Sequence, residues 1–345
     1  MLWDGWFFLA PIRKRCDLHN HRCGISIVVP IYKEEKNIRP FLARMEPVLE
    51  RIADDYEIIF ALDPSPDLTE DVVLDEIKRN PSIKLMVFSR RFGQPAATMA
   101  GIEAASGDIV GVIDVDLQDP PELLGEMVDK MREGFEVVYA QRRTRAGETM
   151  IKKIIAHVGY AAINRLSEVE IPRNTGDFRI MSRRVVNHLI SLNEGHGFLR
   201  GLVAFVGFPQ AAVQYDRDAR FSGTGNYNRL TGSLKIGING LVSFSSRPLQ
   251  LMSIAGAILA FFSFVVGAWY VLQKLLGFDL TPGLSTTVLV VTFFSGVQLL
   301  SLGLLGEYVG RIYDEVKRRP SYILQKKINF EQATERQNPR LEQNS

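Results

Sequence analysis

The chain has 345 residues, with 41 lysines and arginines against 39 aspartates and glutamates, a net charge of +2 and a mean hydropathy of +0.02. This balance excludes a strongly basic nucleic-acid binder, and a hydrophobic content of 46% excludes an intrinsically disordered chain. A polytopic carrier would be far more hydrophobic and is excluded as well. From the length we expect two or three domains, and from the charge balance no nucleic-acid partner.

Residues 1–24 are predicted to be an extension that precedes the folded domain. The segment MLWDGWFFLAPIRKR is apolar and then basic, which is the reverse of a secretory signal, and it is too short to span a membrane. The next segment, CDLHNHRC, offers four zinc-ligand side chains in a spacing that matches no ordinary structural zinc site, so no metal is predicted there. Because the chain has no other cysteine, we expect no disulfides and a cytoplasmic domain.

From residue 25 onward, apolar runs alternate with segments of helical spacing. Strands are predicted for ISIVVP (25–30), YEIIFAL (56–62), IKLMVFS (83–89), DIVGVID (108–114) and FEVVYAQ (135–141). Helices are predicted for residues 35–53, 68–79, 95–105 and 121–132. This alternation predicts an α/β domain with a mainly parallel sheet that is covered on both faces. In such sheets, ligands bind beyond the carboxyl ends of the strands.

The fourth predicted strand runs into the acidic sequence DVDLQDPPE (114–122). Clustered carboxylates repel one another unless a cation or hydrogen bonds compensate them, and oxygen ligands suit Mg²⁺ or Mn²⁺ bound with a substrate diphosphate. The alternative is a solvated turn in which Asp119 caps the next helix. The chain lacks both G-x-G-x-x-G after a strand and a P-loop, so a metal-bridged diphosphate indicates a nucleotide-sugar donor.

Six motifs follow one another along the chain: VVPIYKEEKNI (28–38), IIFALDPSPDLTED (58–71), SRRFGQPAATMAGIEAASGD (89–108), DVDLQDPPE (114–122), NTGDFRIMSRRV (174–185) and FLRGLVAFVGF (198–208). With these motifs the chain resembles the inverting GT-A polyprenyl-phosphate glycosyltransferases, such as dolichol-phosphate mannose synthase and the bacterial GtrB-type undecaprenyl-phosphate glucosyltransferases. The resemblance covers residues 25–327 and implies a Rossmann-like GT-A domain over residues 25–228.

The resemblance also implies roles for individual residues. It places the donor nucleotide sugar against Pro30, Tyr32, Glu34, Asp63, Arg90, Gly93 and Asp114. Asp116 and Gln118 would reach the metal, Mg²⁺ or Mn²⁺, and the catalytic group would be Asp177, Asp116 and Arg200. Arg142 and Arg220 are candidates for phosphate binding, because the planar guanidinium suits phosphate.

Several of these assignments have simpler alternatives. Tyr32 would pack under the sheet, Arg90 would be a surface residue, and Arg200 would pair with a nearby acid. The chain also departs from the family pattern at four positions. These are Leu62 and Pro64, in place of an acid and a glycine, Lys33 in place of asparagine, and Asn226 in place of lysine.

The reaction implied by the resemblance is metal-dependent, inverting transfer of a sugar to the phosphate of a polyprenyl phosphate. UDP-glucose and undecaprenyl phosphate are the leading substrates, with GDP-mannose, a UDP-N-acetyl sugar or a UDP-modified arabinose as alternative donors. A processive polysaccharide synthase usually carries Q-x-x-R-W, which is absent because the tryptophans here are Trp3, Trp6 and Trp269. A non-catalytic membrane protein that binds a lipid or a nucleotide would not need the acid cluster.

The C-terminal third of the chain is predicted to contact the membrane. Residues 229–247 have apolar side chains at helical spacing and are predicted as an interfacial helix, a core-packing helix being the alternative. Two uncharged runs follow, and each exceeds the roughly 20 residues that cross a bilayer as a helix. We therefore predict transmembrane helices at about 248–273 and 282–306, within residues 248–310, rather than a buried hairpin.

The positions of the basic residues predict the orientation in the membrane. Lysines and arginines flank the outer ends of the two hydrophobic runs, whereas Lys274 is the single basic residue between them. By the positive-inside rule, the catalytic domain and both termini lie in the cytoplasm of a multi-pass protein in the bacterial inner membrane. Residues 311–345 form a basic tail that is expected to pack on the catalytic face, contact anionic lipid, or join the protomers of a homo-oligomer.

Overall fold

The computed structural model describes residues 24–143, 172, 175–192, 194, 199–216, 245–276 and 283–330. Within these residues the strands are β1 Ile25–Ile31, β2 Tyr56–Leu62, β3 Ile83–Phe88, β4 Ile109–Val112, β5 Val137–Arg142, β6 Thr175–Ser182, β7 Gln210–Tyr215 and β8 Leu324–Ile328. The helices are α1 Ile38–Ile52, α2 Thr69–Arg79, α3 Gln94–Ala104, α4 Leu124–Arg132, α5 Arg183–Leu192, α6 Leu199–Val206, α7 Arg247–Leu275 and α8 Leu284–Val316.

The strands form one sheet in the order β7-β5-β6-β4-β1-β2-β3-β8. The central strands β4, β1, β2 and β3 run parallel, as do β5 and β7. Two strands run against their neighbours, namely β6 between β4 and β5, and β8 on β3. The predicted mainly parallel α/β sheet of the GT-A type is therefore confirmed.

Both faces of the sheet are buried. On one face, Phe41 of α1 and Met127 of α4 pack with Ile27 of β1, and all three have no exposed surface. On the other face, Val28 of β1 packs among side chains of α3, α5 and α6. Successive residues of a strand thus enter different cores, which explains why the strands are continuous apolar runs.

Pro30 lies within a central strand, a position at which proline usually breaks a sheet. Strand β1 pairs with β4 from Ile25 to Val28, and the Val28 carbonyl then accepts a hydrogen bond from the Ile113 N–H at 3.1 Å. Pro30, two residues later, faces the same side of the strand beyond this ladder. Its missing N–H therefore removes no bond between β1 and β4.

The approach of α3 to β1 depends on Gly101. A Cβ atom at this position would lie 2.3 Å from Val28 Cγ1, well inside contact distance. We expect Gly101→Ala to lower the free energy of unfolding by about 1–3 kcal/mol, because the core must shift to admit the methyl group. Urea unfolding measures the change. Gly125→Ala in α4 is the control, since its Cβ would meet Arg51 Nη2 at 3.8 Å, and equal destabilisation by the two substitutions would contradict this packing argument.

The C-terminal segment adds the edge strand β8, which pairs antiparallel with β3. The sequence pattern predicts a basic tail over residues 311–345 and no strand within it. Its sequence, LQKKI, carries two lysines, and exposed lysines are typical of edge strands because they oppose further strand pairing. Lys326 of this strand donates a hydrogen bond to Glu70 of α2.

Helices α7 and α8 overlap the two predicted transmembrane segments. Among the described residues, one stretch is long and apolar enough to be a candidate membrane span, Arg247–Trp269, and no part of it is buried. The Tyr308 hydroxyl of α8 donates a hydrogen bond to the Ser245 carbonyl at 2.7 Å, which ties α8 to the start of α7. Arg247–Trp269 is thus a candidate for the first helix of the predicted hairpin, and the two-helix transmembrane hairpin stays a prediction.

Three predictions fall largely or wholly outside the described residues. They are the N-terminal extension with its cysteines and histidines, the interfacial helix up to residue 244, and the positions of Arg220 and Asn226.

Candidate active site

The predicted site residues within the described ranges gather at one edge of the sheet. Strands β1 to β4 are parallel, so the loops that follow them meet at their carboxyl ends. Strand β6 is antiparallel to β4, which brings its first residues, including Asp177, to the same edge. The last residues of β5 and β7, Arg142 and Tyr215, also end there.

Asp63 organises the loop between β3 and α3. Its carboxylate is buried, with 3% of the residue exposed, and accepts hydrogen bonds from the backbone N–H groups of Phe92 at 2.9 Å and Gly93 at 2.8 Å. Gly93 has φ +92°, in the region that favours glycine. Asp63 and Gly93 therefore help to fix the conformation of the loop between β3 and α3. Their contact with the donor stays a prediction.

Two arginines of this loop stack on aromatic rings. The Arg91 guanidinium lies 4.1 Å from the Tyr32 ring centroid, and that of Arg90 lies 4.0 Å from the centroid of Phe92. Tyr32 is half-buried in the loop after β1, and the Arg91 guanidinium covers its ring. Arg91 is not among the predicted site residues, although its position beside Arg90 in SRRFG is a usable signal.

The loop after β1 is fixed by hydrogen bonds around Glu34. The Glu34 N–H donates to Thr69 Oγ1 at 2.9 Å, and the Asn37 side-chain amide donates to the Glu34 carboxylate. Lys33 has φ 59°, a left-handed conformation that asparagine adopts more readily than lysine. This departure from the family pattern therefore leaves mild backbone strain beside Tyr32.

The acidic loop after β4 is partly buried. Asp114 accepts a hydrogen bond from Gln94 Nε2 at 2.8 Å, and Asp116, which is 3% exposed, accepts one from the Gln118 N–H at 3.1 Å. Leu117, which lies between Asp116 and Gln118, has φ 60° and is buried. A bulky residue in the left-handed region costs about 1 kcal/mol or more, and such strain is concentrated at functional turns.

Asp119 does not cap the next helix, and that alternative is wrong. A short 3-10 helix, Pro121–Leu123, precedes α4, and the residues at the two cap positions are Pro120 and Leu123. The Asp119 carboxylate instead accepts a hydrogen bond from the Tyr215 hydroxyl. Arg142 Nη2 lies 3.6 Å from the same carboxylate oxygen, and Arg142 Nε donates to the Tyr215 hydroxyl at 3.1 Å. Asp119, Arg142 and Tyr215 thus form a triad at the ends of β5 and β7.

Charge and burial both shape this triad. Burial and the neighbouring Asp119 carboxylate raise the pKa of Tyr215, so its hydroxyl stays protonated and donates. Burial lowers the pKa of Arg142, but the hydrogen bond to Tyr215 and the charges of Asp119 and Asp114 outweigh it, and the net shift is upward. Arg142 therefore remains a cation that faces the acidic loop.

Asp177 lies among three arginines, Arg142, Arg179 and Arg200. Arg200 Nε donates to Asp177 Oδ1 at 2.9 Å, and the two side chains are 27% and 28% exposed. Burial raises the pKa of Asp177, but the charges of Arg200, Arg179 and Arg142 outweigh this, so its pKa is lowered. Asp177 is therefore a carboxylate at neutral pH and a weak base.

Arg179, the arginine of GDFR, is a site residue that is not among those predicted from the sequence. It is 3% exposed and donates from Nη2 to the Gly176 carbonyl at 3.1 Å. Burial lowers its pKa to about 10, with the charge of Asp177 opposing that shift. The simpler alternative for Arg200, pairing with a nearby acid, is also present, because Arg200 pairs with Asp177. The catalytic role of Arg200 stays a prediction.

The residues present fit a divalent metal only in part. No group of three or more His, Cys, Asp or Glu side chains in the described part of the chain is arranged to hold a metal. Mg²⁺ typically binds one or two protein carboxylates together with substrate phosphates and water, so it does not require such a group. The oxygen donors of Asp116, Gln118 and Asp114 suit this mode of binding.

Comparison with known proteins shows the family. Residues 26–190 match the pattern of glycosyl transferase family 2. An uncharacterized glycosyltransferase of Synechocystis is 44% identical over 87% of this chain and 94% of its own length. The SfII prophage-derived bactoprenol glucosyl transferase of Shigella flexneri is 37% identical over 88% of this chain and 97% of its own length. The chain belongs to glycosyl transferase family 2.

As a family 2 glycosyltransferase, the chain is an enzyme, and the resemblance inferred from its six motifs is confirmed. A second relative without an assigned reaction, the uncharacterized glycosyltransferase YkcC of Bacillus subtilis, is 42% identical over 89% of this chain and 94% of its own length. The family is thus shown over most of the chain, including residues beyond the catalytic domain.

Gly176 gives a way to test the position of Arg142 in this glycosyltransferase. A Cβ at Gly176 would lie 2.9 Å from Arg142 Nη2 and 3.6 Å from Asp119 Oδ2. We expect Gly176→Ala to displace the guanidinium and slow sugar transfer by about 10-fold to 100-fold, because small misplacements of a site residue are costly. The free energy of unfolding should change by less than about 1 kcal/mol, since the clash is with the end of a flexible side chain. Unchanged transfer kinetics would show that the position of Arg142 does not matter.

Proposed function

We propose that this glycosyltransferase transfers glucose from UDP-glucose to the phosphate of a membrane polyprenyl phosphate, undecaprenyl phosphate, with inversion at the anomeric carbon. The observation that carries the proposal is the arrangement of the acidic loop, Asp114 to Asp119, against a group of arginines that surrounds Asp177. The names of the relatives from Shigella flexneri and its phages, which are bactoprenol glucosyl transferases, support this sugar and this class of lipid.

The acceptor chemistry explains the need for arginines. The second pKa of a phosphate monoester is about 6, so a polyprenyl phosphate is largely a dianion at neutral pH and needs little deprotonation. The harder task is to hold this anion beside the anionic diphosphate of the donor. Arg142 and Arg200 are partly exposed at the edge of the sheet, and their planar guanidinium groups suit phosphate.

Asp177 is proposed as the group that positions these arginines and the acceptor. Its lowered pKa makes it a poor acceptor of a proton, and its carboxylate already holds Arg200 Nε. A general base would instead require a pKa raised toward the working pH. Asp177 therefore acts by orienting the acceptor phosphate through Arg200.

Asp116 and Gln118 are proposed to hold Mg²⁺ or Mn²⁺, with Asp114 next to the donor sugar. When bound, the metal would offset the charge of the departing UDP as a Lewis acid. The chain contributes a buried carboxylate at Asp116, kept in place by the Gln118 N–H. It also contributes Arg142, whose positive charge interacts with that of Asp114.

The donor nucleotide is proposed to bind across the loops after β1, β2 and β3. This surface is formed by Tyr32, whose ring lies under Arg91, and by Glu34. Asp63 and the loop from Arg90 to Gly93, which it holds, complete the surface. Asp63 lies between Leu62, which is buried in β2, and Pro64, which is exposed. Of these three residues, Asp63 therefore supplies the carboxylate at the end of β2. GDP-mannose, a UDP-N-acetyl sugar and a UDP-modified arabinose are the alternative donors.

The membrane part is proposed as a two-helix hairpin formed by α7 and α8, with the catalytic domain and both termini in the cytoplasm of a bacterium. The exposed apolar surface of α7 supports this placement, as do three basic residues just beyond α8, Lys317, Arg318 and Arg319. In this arrangement the lipid keeps its tail in the bilayer of the inner membrane while its phosphate reaches the active site. We propose a homo-oligomer as the working assembly.

A donor panel tests the substrate assignment. Purified full-length protein in detergent is incubated with undecaprenyl phosphate, Mg²⁺ or Mn²⁺, and each labelled nucleotide sugar in turn, with EDTA in parallel reactions. We expect label to enter the lipid fraction from UDP-glucose and the signal to disappear with EDTA. Transfer from another donor would replace UDP-glucose in the proposal, and full transfer in EDTA would refute the metal. Repeated addition of sugars to one product would indicate a processive synthase instead.

A further inference from the structure

The segment that follows α8 is anchored to the outer edge of the sheet. The Ser89 N–H donates to the Ile323 carbonyl at 2.9 Å, and β8 then continues the pairing along β3. At the far end, Asn329 Nδ2 donates to the carbonyls of Pro81 and Ile83, both at 2.7 Å. The chain therefore leaves the proposed membrane helix and is fixed to the catalytic domain along the whole length of β3.

Three aromatic rings continue this contact inward, and we call Tyr322, Phe88 and Phe92 the aromatic stack. The ring centroids of Tyr322 and Phe88 lie 5.7 Å apart at an angle of 72°, and those of Phe88 and Phe92 lie 6.2 Å apart at 69°. Both are edge-to-face pairs, the favourable geometry for aromatic rings. The Tyr322 hydroxyl also donates to Glu103 Oε2 of α3 at 2.5 Å, which fixes the outer ring.

Phe92, the ring of the aromatic stack farthest from Tyr322, belongs to the loop proposed to bind the donor. The Phe92 N–H donates to Asp63 Oδ1, and the Arg90 guanidinium lies over the Phe92 ring. Phe92 is thus held by Phe88 of β3 and by Asp63, which directly follows β2. Phe88 is fully buried, so a solvent-excluded ring connects Tyr322 with Phe92.

We propose that Tyr322 is a positioning residue for the donor site, through which the segment after α8 holds the loop from Arg90 to Gly93 in its donor-binding arrangement. The proposal deepens the proposed function and rests on it, because it takes this loop to be part of the donor site. Placement of the catalytic domain by its membrane helix and order in the donor loop would then depend on the same contact.

Three variants separate positioning from simple support of the sheet edge. Tyr322→Ala removes the outer ring, whereas Tyr322→Phe keeps the ring and removes the hydrogen bond to Glu103. Phe330→Ala is the matched control, because Phe330 packs on the same core face and lies near Lys84 and Lys327, at the other end of β8. It removes a comparable aromatic contact from this segment without touching the aromatic stack.

The test combines amide hydrogen exchange with UDP binding, both on full-length protein in detergent. We expect Tyr322→Ala to speed exchange at the Phe92 and Gly93 amides and to weaken UDP binding by about 2-fold to 10-fold, the range that an edge-to-face pair supplies. Tyr322→Phe should restore most of both values, and Phe330→Ala should leave the loop as in the wild type.

The possible outcomes distinguish this proposal from the proposed function. If the wild type binds UDP and Tyr322→Ala changes neither exchange nor affinity, the proposal alone fails. It also fails if Phe330→Ala speeds exchange in the loop as much as Tyr322→Ala does, since the stack would then only support the sheet. If the wild type binds neither UDP nor a nucleotide sugar, the proposed function fails, and the proposal fails with it.

Discussion

Asp116→Asn is expected to slow sugar transfer by about 100-fold to 1,000-fold, the usual effect of removing a group that stabilises charge in the transition state. The substitution removes the negative charge proposed to bind the metal while an amide oxygen stays in place to accept the Gln118 N–H. The fold should therefore persist, with the free energy of unfolding changed by about 1 kcal/mol or less. Steady-state transfer over a Mg²⁺ titration, together with urea unfolding, measures both effects.

Asp129→Asn is the matched control for this prediction. This substitution makes the same acid-to-amide change on α4, where the Asp129 side chain is 66% exposed and pairs with Arg132. Exposed ion pairs contribute little, so the control should keep wild-type transfer. Normal transfer by Asp116→Asn at low Mg²⁺ would contradict the assignment of Asp116 to the metal.

Asp177→Asn is expected to slow transfer by about 100-fold, because Arg200 loses the carboxylate that fixes its direction. The pKa of Asp177 is lowered in the folded protein, so this carboxylate stabilises the fold above its unfolded pKa and the contribution disappears as pH falls through the folded pKa. The asparagine variant should therefore be less stable at neutral pH and closer to wild type in acid. Thermal unfolding at several pH values measures this difference.

The pH profile of transfer separates orientation from proton removal by Asp177. If the acceptor phosphate sets the acidic limb, the rate of the wild type should rise through a pKa of about 6, and Asp177→Asn should keep the same profile at a lower rate. A general base at Asp177 would instead make that limb disappear in the variant. Near-normal turnover of Asp177→Asn with saturating acceptor would refute the positioning role as well.

The first half of the catalytic fold was predictable because its signals are local. The five predicted strands became β1 to β5, and parallel strands place the residues after each of them at one edge. The acidic sequence that contains Asp116 could be placed at this edge for this reason alone, whereas the roles of Tyr32 and Asp63 were implied by the resemblance. The resemblance then added Asp177 and Arg200, which local patterns do not connect with that edge.

The parts that were not predicted depend on long-range pairing. Strand β8 is short and bears lysines, so no periodic pattern marks it, and its stability comes from β3 far earlier in the chain. Tyr215 lies 96 positions from Asp119, and the hydrogen bond between them follows from the parallel pairing of β5 with β7. Arg179 is buried beside Asp177, a position that sequence spacing cannot distinguish from a surface residue of a strand.

The central claim is that this glycosyltransferase joins a sugar to the phosphate of a polyprenyl lipid, and the structure of the lipid product tests it most directly. Purified full-length protein, UDP-glucose and undecaprenyl phosphate are incubated with Mg²⁺, and the product is analysed by mass spectrometry and NMR. The proposed reaction predicts one glucose on a single phosphate, in the β configuration that inversion of the α-linked donor produces. A lipid diphosphate, a retained α linkage, or no lipid-linked sugar from any donor tested would contradict it.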